Sequence, residues 1–309
     1  MMKVNSTTVT EFILLGLTNI PELQRLLFVL FLSVYLTTLA GNIVIVMITR
    51  LDPRLHTPMY FFLGNLSFLD LCYSSVTLPK MLVDFLSKRK VISFGGCIAQ
   101  LSFFISLCCT ENFLLAVMAY DRYVAICRPL HYTNIMSMNS CLIMAISCWL
   151  GGFLYSLVHI LCTFRLSFCG PNVLTHFFCD LPPLFELSCT DTTINMVFAF
   201  VSGGAVGFGC FLITLHSYIC IVGSLMNIHS TKGKLKAFST CSSHLTVVIL
   251  FYGTILFMYF RPTSSYSLTR DRMISLMYTI ATPMLNPMIY CLRNQEVKGA
   301  LKKVLLGKG

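Results

Sequence analysis

The chain has 309 residues, 56% hydrophobic and only 11% charged, with a formal net charge of +10 and a mean hydropathy of +0.78. A soluble domain carries roughly 25% charged residues. The charges here are too few to wrap a water-exposed surface, so the composition excludes a soluble globular domain and makes lipid the main solvent.

A bilayer crossing needs about 20 consecutive apolar residues. Taken in chain order, residues 1–24 are mixed and include Asn5, Glu11, Asn19 and Glu22. No basic start precedes an apolar core, so no removable signal is expected. Apolar stretches follow near 25–49, 58–80, 98–120, 140–161, 196–226, 237–260 and 272–292. Their length and continuity predict helices, because barrel strands alternate and are shorter. The fold class is therefore an all-α membrane protein, a seven-helix transmembrane bundle over 25–292. Residues 1–24 are expected to be an extracellular tail. In 293–309, Leu301, Val304 and Leu305 are spaced i, i+3, i+4 beside Lys302 and Lys303, which predicts a short amphipathic helix on the anionic inner leaflet, with membrane lipids as partners.

With the N terminus outside, the inner loops (about 51–57, 128–139 and 227–236) and the tail hold only a small majority of the 22 basic residues, a weak vote under the positive-inside rule. The sequon Asn5-Ser6-Thr7 supports that orientation, since glycosylation needs the lumenal side. A second sequon at Asn65 lies inside a spanning stretch and is read as chance. Four of the 15 cysteines fall in the proposed outer region: Cys97, Cys169, Cys179 and Cys189. Four cysteines allow three pairings, and an oxidising exterior favours bridges. The others lie in or near helices as small buried apolar groups. No Gly-rich phosphate loop and no CxxC pair is present, so no enzyme is expected. His159, His216 and His244 stand alone on helices as core or network members.

Several motifs carry a family likeness. Leu55–Asp70 reads LHTPMYFFLGNLSFLD, Met118–Cys127 reads MAYDRYVAIC, Ser217-Tyr218 ends the fifth stretch, Lys236–Leu245 reads KAFSTCSSHL, and Pro283–Tyr290 reads PMLNPMIY. In this order and spacing the chain resembles the vertebrate odorant receptors, of the tetrapod-type branch, within the rhodopsin-like G-protein-coupled receptors. The resemblance covers the first helix to the tail. It implies a plasma-membrane, multi-pass receptor with its N terminus outside, which activates a stimulatory olfactory-type heterotrimeric G protein and raises cAMP. It implies that Arg122 is held by Asp121 at rest, beside Tyr123, and meets the G protein when the sixth helix swings out. Tyr218 resembles the active-state partner of Tyr290 and Arg122, and Pro287 after Asn286 marks a flexing point. Where most rhodopsin-like receptors carry an acid at the start of the sixth helix, this chain has Lys232, Lys234 and Lys236, so a lock from Arg122 to that helix is not expected.

Polar groups deep in apolar helices face the bundle interior and share partners. By resemblance, Asp70 and Glu111, with Asn42 and Asn286 at similar depth, hold a sodium ion or water cluster in the resting state; the alternative is a structural hydrogen-bond network. No other cofactor is expected. The resemblance also implies a bridge between Cys97 and Cys179, which pairs Cys169 with Cys189. In the outer loop His176 and Asp180 resemble a proposed metal motif. With Cys179 bridged, two ligands make a weak site, and a lid with satisfied side chains is the expected reading.

Helical spacing gathers Leu101, Phe104, Ile105, Cys108 and Cys109 on the third helix, Ser202 and Val206 on the fifth, Tyr252, Ile255 and Tyr259 on the sixth, and Leu276 and Thr279 on the seventh. These are also the pocket positions of the receptors the chain resembles. None is charged, and Arg261 lies at the mouth, so a neutral, mainly apolar, volatile-sized organic ligand is expected, with Tyr259, Ser202 or Thr279 giving one hydrogen bond. A channel or transporter needs a charge ring or a polar stripe, and the interior acids are too few. No nucleic-acid partner is expected.

Overall fold

The computed structural model describes residues 9–169, 172–226, 231–259 and 275–305. Long helices form wherever the apolar runs leave the backbone no polar partner but itself. They are α1 (Pro21–Leu51), α2 (Pro58–Leu86), α3 (Phe94–Cys127), α5 (Met138–Thr163), α7 (Thr193–Met226) and α8 (Thr231–Tyr259). Shorter helices are α4 (Tyr132–Ile135), α6 (Leu181–Glu186), α9 (Thr282–Arg293), entered by a π-helical turn at Met277–Ala281, and α10 (Gln295–Leu305). Five of these (α1, α2, α3, α5 and α7) are long and apolar enough to cross a membrane, and α8 carries a shorter apolar stretch, Cys241–Ile255. Residues 272–274 of the seventh expected stretch lie outside the described residues.

The helices run past the apolar stretches: α1 begins at Pro21 rather than residue 25, and α3 ends at Cys127 rather than residue 120. Their ends are set by local chemistry. Pro21 and Pro58 sit in the first turns of α1 and α2, where a missing N–H costs nothing. Ser93 and Ser137 cap α3 and α5 by accepting from the N–H groups of Gly96 (3.1 Å) and Ser140 (3.3 Å).

The third helix is the hub. It is buried along most of its length and packs against α2, α5 and α7. Gly152 of α5 lets α3 approach closely: a Cβ there would lie 2.1 Å from Thr110 Oγ1 and 2.5 Å from the Ser106 carbonyl oxygen. Outward-facing positions remain apolar, as on α7, where Val197, Val201, Phe208 and Leu212 are exposed. That pattern suits hydrocarbon rather than water.

The end of the bundle that carries the N terminus, the expected outer end, is closed by a small three-stranded sheet. Its central strand β1 (Glu11–Leu14) pairs antiparallel with β2 (Val91–Ser93) and parallel with β3 (Val173–Leu174). Phe12 and Leu14 point into the core and are each 1% exposed. Arg89 pairs with Glu11 at 2.5 Å, and Lys90 Nζ donates to the Thr18 carbonyl at 3.2 Å. From residue 9 the expected tail is therefore an ordered cap, because alternate residues of its strand, Phe12 and Leu14, find a buried face between two outer loops. Asn5 lies outside the described residues. The bridges are Cys97–Cys179 and Cys169–Cys189, with Cα–Cα distances of 5.5 and 5.6 Å.

At the inner end α10 buries Val297 and Ala300 and exposes Lys302 and Lys303. Asn294 starts it by accepting from the N–H groups of Glu296 (3.0 Å) and Val297 (3.2 Å). Tyr60 of α2 reaches Asn294 Oδ1 at 3.2 Å and Glu296 Oε2 at 2.7 Å. In the loop after α1, Arg54 forks onto Asp52 and holds its carboxyl down at about 2.

Candidate functional site

The first region is the inner end of α3. Asp121 is wholly buried, and Arg122 is 13% exposed beside it. Arg122 Nε donates to Asp121 Oδ2 at 2.8 Å, and its terminal nitrogen contacts the same oxygen. The other oxygen, Oδ1, accepts from the Tyr132 hydroxyl at 2.8 Å. The pair is thus braced from the loop that leads into α5, and burial together with the Asp121 charge pushes the Tyr132 hydroxyl pKa up. The Tyr123 ring is tilted against that of His216 (6.3 Å between centroids) and lies under Arg128 at 5.9 Å. Tyr218 does not meet Tyr290 or Arg122 in this conformation. It binds His244 Nδ1 at 2.6 Å with the rings stacked, and the Tyr290 hydroxyl is buried without a hydrogen-bond partner. Sequence reasoning missed Tyr132, and it read His244 as a core or network member without naming its partner; Tyr218 and His244 lie 26 positions apart on different helices, and no local pattern joins them. The side chains of Lys232, Lys234 and Lys236 lie outside the described ones.

The second region is the polar interior. Asn42, Asp70, Glu111 and Asn286 are each at most 2% exposed. Asn286 Nδ2 donates to Asp70 Oδ2 at 3.0 Å, and Asn42 Nδ2 donates to the carbonyls of Thr38 and Pro283, both at 3.0 Å. Four oxygens have no hydrogen-bond donor: Asn42 Oδ1, Asp70 Oδ1, Glu111 Oε1 and Asn286 Oδ1. Buried acceptors are seldom left so, and four carboxylate or amide oxygens are the donor set a hard cation takes. Pro287 lies inside α9 and nearly touches Gly41, where a Cβ would meet its ring at 3.1 Å. Trp149 Nε1 donates to Asn65 Oδ1 at 3.2 Å, a structural role for both.

The third region is the outer half of the bundle. Phe104 is buried between Tyr73 and Phe178, with ring centroids 5.3 and 5.0 Å away. Phe178 and its neighbour Phe177 come from the outer loop, tied down by Cys179, so the loop drives an aromatic plug into the bundle. His176 is buried against this plug at 5.8 Å from the Phe178 ring, and Asp180 caps α6 through the Leu181 N–H at 2.8 Å. Ile105, Cys109 and Tyr252 are buried, and Cys108, Val206, Ile255 and Leu276 are half-buried. Tyr252 sits edge-on to Phe211 at 5.3 Å. Leu101 lines a small apolar crevice together with Phe12, Phe94, Ile160, Phe164 and Leu184. The Thr279 hydroxyl donates to the Ser275 carbonyl at 2.6 Å. Ser202 Oγ contacts His159 Nε2 at 3.0 Å and the Tyr155 hydroxyl at 3.2 Å. Neither Tyr155 nor His159 was assigned a function from sequence, although their i, i+4 spacing on one helix face was the available signal. The Tyr259 side chain and Arg261 lie outside the described residues.

Comparison with known proteins agrees with this arrangement. A family model described as olfactory receptor matches residues 31–308. The chain is 52% identical over 308 residues to olfactory receptor 5AR1 of Mus musculus, covering 100% of this chain and 99% of that one. It is 54% identical over 301 residues to olfactory receptor 5A1 of Homo sapiens, covering 97% and 96%. The crystal structure of squid rhodopsin superposes with a TM-score of 0.69 at 20% identity, over 93% of this chain and 87% of that one, and shares the fold. The chain is a multi-pass membrane protein, a signalling receptor rather than an enzyme, and it belongs to the olfactory receptor family.

Proposed function

We propose that this receptor binds a neutral, mainly apolar, volatile-sized ligand between the outer halves of its helices and activates a stimulatory olfactory-type G protein to raise cAMP. It acts in the plasma membrane with its N terminus outside. The observation that carries the coupling half of this reading is the buried Asp121–Arg122 pair, braced by Tyr132. A charge of this kind is costly at the edge of a membrane and is kept where it switches. In the resting arrangement Arg122 is spent on Asp121 and Tyr218 on His244; an outward swing of α8 frees both for the G protein. The ligand half is supported by the lining around Phe104, Ile105, Cys108, Cys109, Val206, Tyr252, Ile255 and Leu276, which is aromatic or aliphatic and uncharged. An unpaired carboxylate there would be desolvated without a counter-charge.

Asp70 and Glu111, helped by the amide oxygens of Asn42 and Asn286, would hold a sodium ion in the resting state. The four donorless oxygens support this reading. The ion would supply positive charge to two buried acids; the chain's part is to fix those oxygens and exclude water. The exposed Lys302 and Lys303 of α10 meet anionic lipid headgroups.

The test is a cAMP reporter in cells challenged with a broad panel of volatile compounds. Ligand-evoked cAMP that requires the G protein supports the reading. A ligand-gated current that persists without G protein would replace it with a channel.

A further inference from the structure

We propose that Tyr155, His159 and Ser202 form the polar recognition element of the ligand pocket, a hydrogen-bonded chain that takes one oxygen function of the ligand; this rests on the reading of the outer bundle as the ligand site. Ser202 Oγ lies 3.0 Å from His159 Nε2 and 3.2 Å from the Tyr155 hydroxyl. Tyr155 and His159 are one turn apart on α5, their rings 4.5 Å apart, and the His159 ring rests 4.8 Å from Phe198 of α7. His159 is 4% exposed. Ser202 stands one turn before Val206 on the same face of α7, one of the positions expected to line the pocket.

The chemistry of the three groups leaves capacity unused. A hydroxyl has one proton and two lone pairs, and a neutral imidazole is a donor at one nitrogen and an acceptor at the other. In one direction Tyr155 donates to Ser202 and Ser202 donates to His159 Nε2, which leaves the Tyr155 oxygen free to accept from a ligand hydroxyl. In the other direction His159 Nε2–H donates to Ser202 and Ser202 donates to Tyr155. The Tyr155 proton is then free for a ligand carbonyl. The direction follows the histidine tautomer, so one site serves alcohols and ketones alike. A clip between α5 and α7 would need only one of the two bonds to Ser202. Thr279 spends its proton on its own helix, so it could serve a ligand only as an acceptor and would not take a ketone.

The experiment uses the full-length receptor in cAMP reporter cells, with surface display measured for each variant. The ligands are one carbon skeleton presented as alcohol, ketone and hydrocarbon. Tyr155→Phe and Ser202→Ala should each raise the half-maximal concentration for the alcohol and the ketone by about two- to tenfold, the range of one net hydrogen bond. The hydrocarbon should stay within about twofold. Where Tyr155→Phe fails to reach the surface, Ser202→Ala decides, and Ser202→Thr, which keeps the hydroxyl, should restore the oxygenated ligands. Equal losses for all three ligands, or no loss for any, overturn the proposal and leave the trio as a helix clip. A wild-type receptor silent to all three, but answering to a carboxylic acid, overturns the neutral-pocket reading beneath it.

Discussion

Gly152 offers the sharpest test of the packing. An alanine there places a methyl group 2.1 Å from Thr110 Oγ1 and 2.5 Å from the Ser106 carbonyl oxygen. Neither neighbour gives way easily. Thr110 donates to that same Ser106 oxygen at 2.8 Å, and the oxygen is part of the α3 backbone. Overpacking a tight core costs about 1–3 kcal/mol, and the backbone contact puts Gly152→Ala at the upper end. The double variant Gly152→Ala with Thr110→Ala removes the closer contact only, so it should recover part of the loss. The assay is thermal unfolding of purified receptor in detergent, with surface display in parallel. Gly152→Ala should melt several degrees lower and reach the surface poorly. Wild-type melting in the single variant would refute the close approach of α5 to α3.

Three further outcomes follow from the same geometry. His244→Phe removes the closer partner of the buried Tyr218 hydroxyl and leaves it the Cys241 carbonyl at 3.4 Å, a loss of about 0.5–1.5 kcal/mol to the resting state. Ligand-free cAMP should rise roughly tenfold for each 1.4 kcal/mol, and basal cAMP at the wild-type level would contradict the latch. Cys97→Ser opens a bridge across a sequence separation of 82. It should cost about 2–5 kcal/mol and retain the receptor inside the cell, whereas normal surface display would show the bridge to be dispensable. Arg89→Ala breaks a pair whose side chains are 71% and 38% exposed; such pairs contribute about 0–1 kcal/mol, so melting and signalling should stay unchanged.

The spanning helices were legible because lipid demands long apolar runs, and those runs are local. The two bridges were legible through the resemblance, since composition left three pairings open. The N-terminal cap was not. Its strand Glu11–Leu14 reads Glu-Phe-Ile-Leu, a run whose alternate burial has no counterpart in its composition and arises only when two partner segments about 80 and 160 positions away enclose it. Contacts between helices were equally hidden. Tyr132 on Asp121, His244 on Tyr218 and Tyr155 with His159 on Ser202 each join separate elements. Periodicity names the face a side chain occupies, not the neighbour that meets it.

The central claim is that ligand occupancy at the outer end is read out through Arg122 at the inner end. The most direct measurement is ligand-evoked cAMP in wild type and in Arg122→Ala at matched surface display, with an agonist found in the panel. The account predicts a robust response in wild type and none in the variant, with ligand binding retained. Wild-type signalling from Arg122→Ala would contradict it.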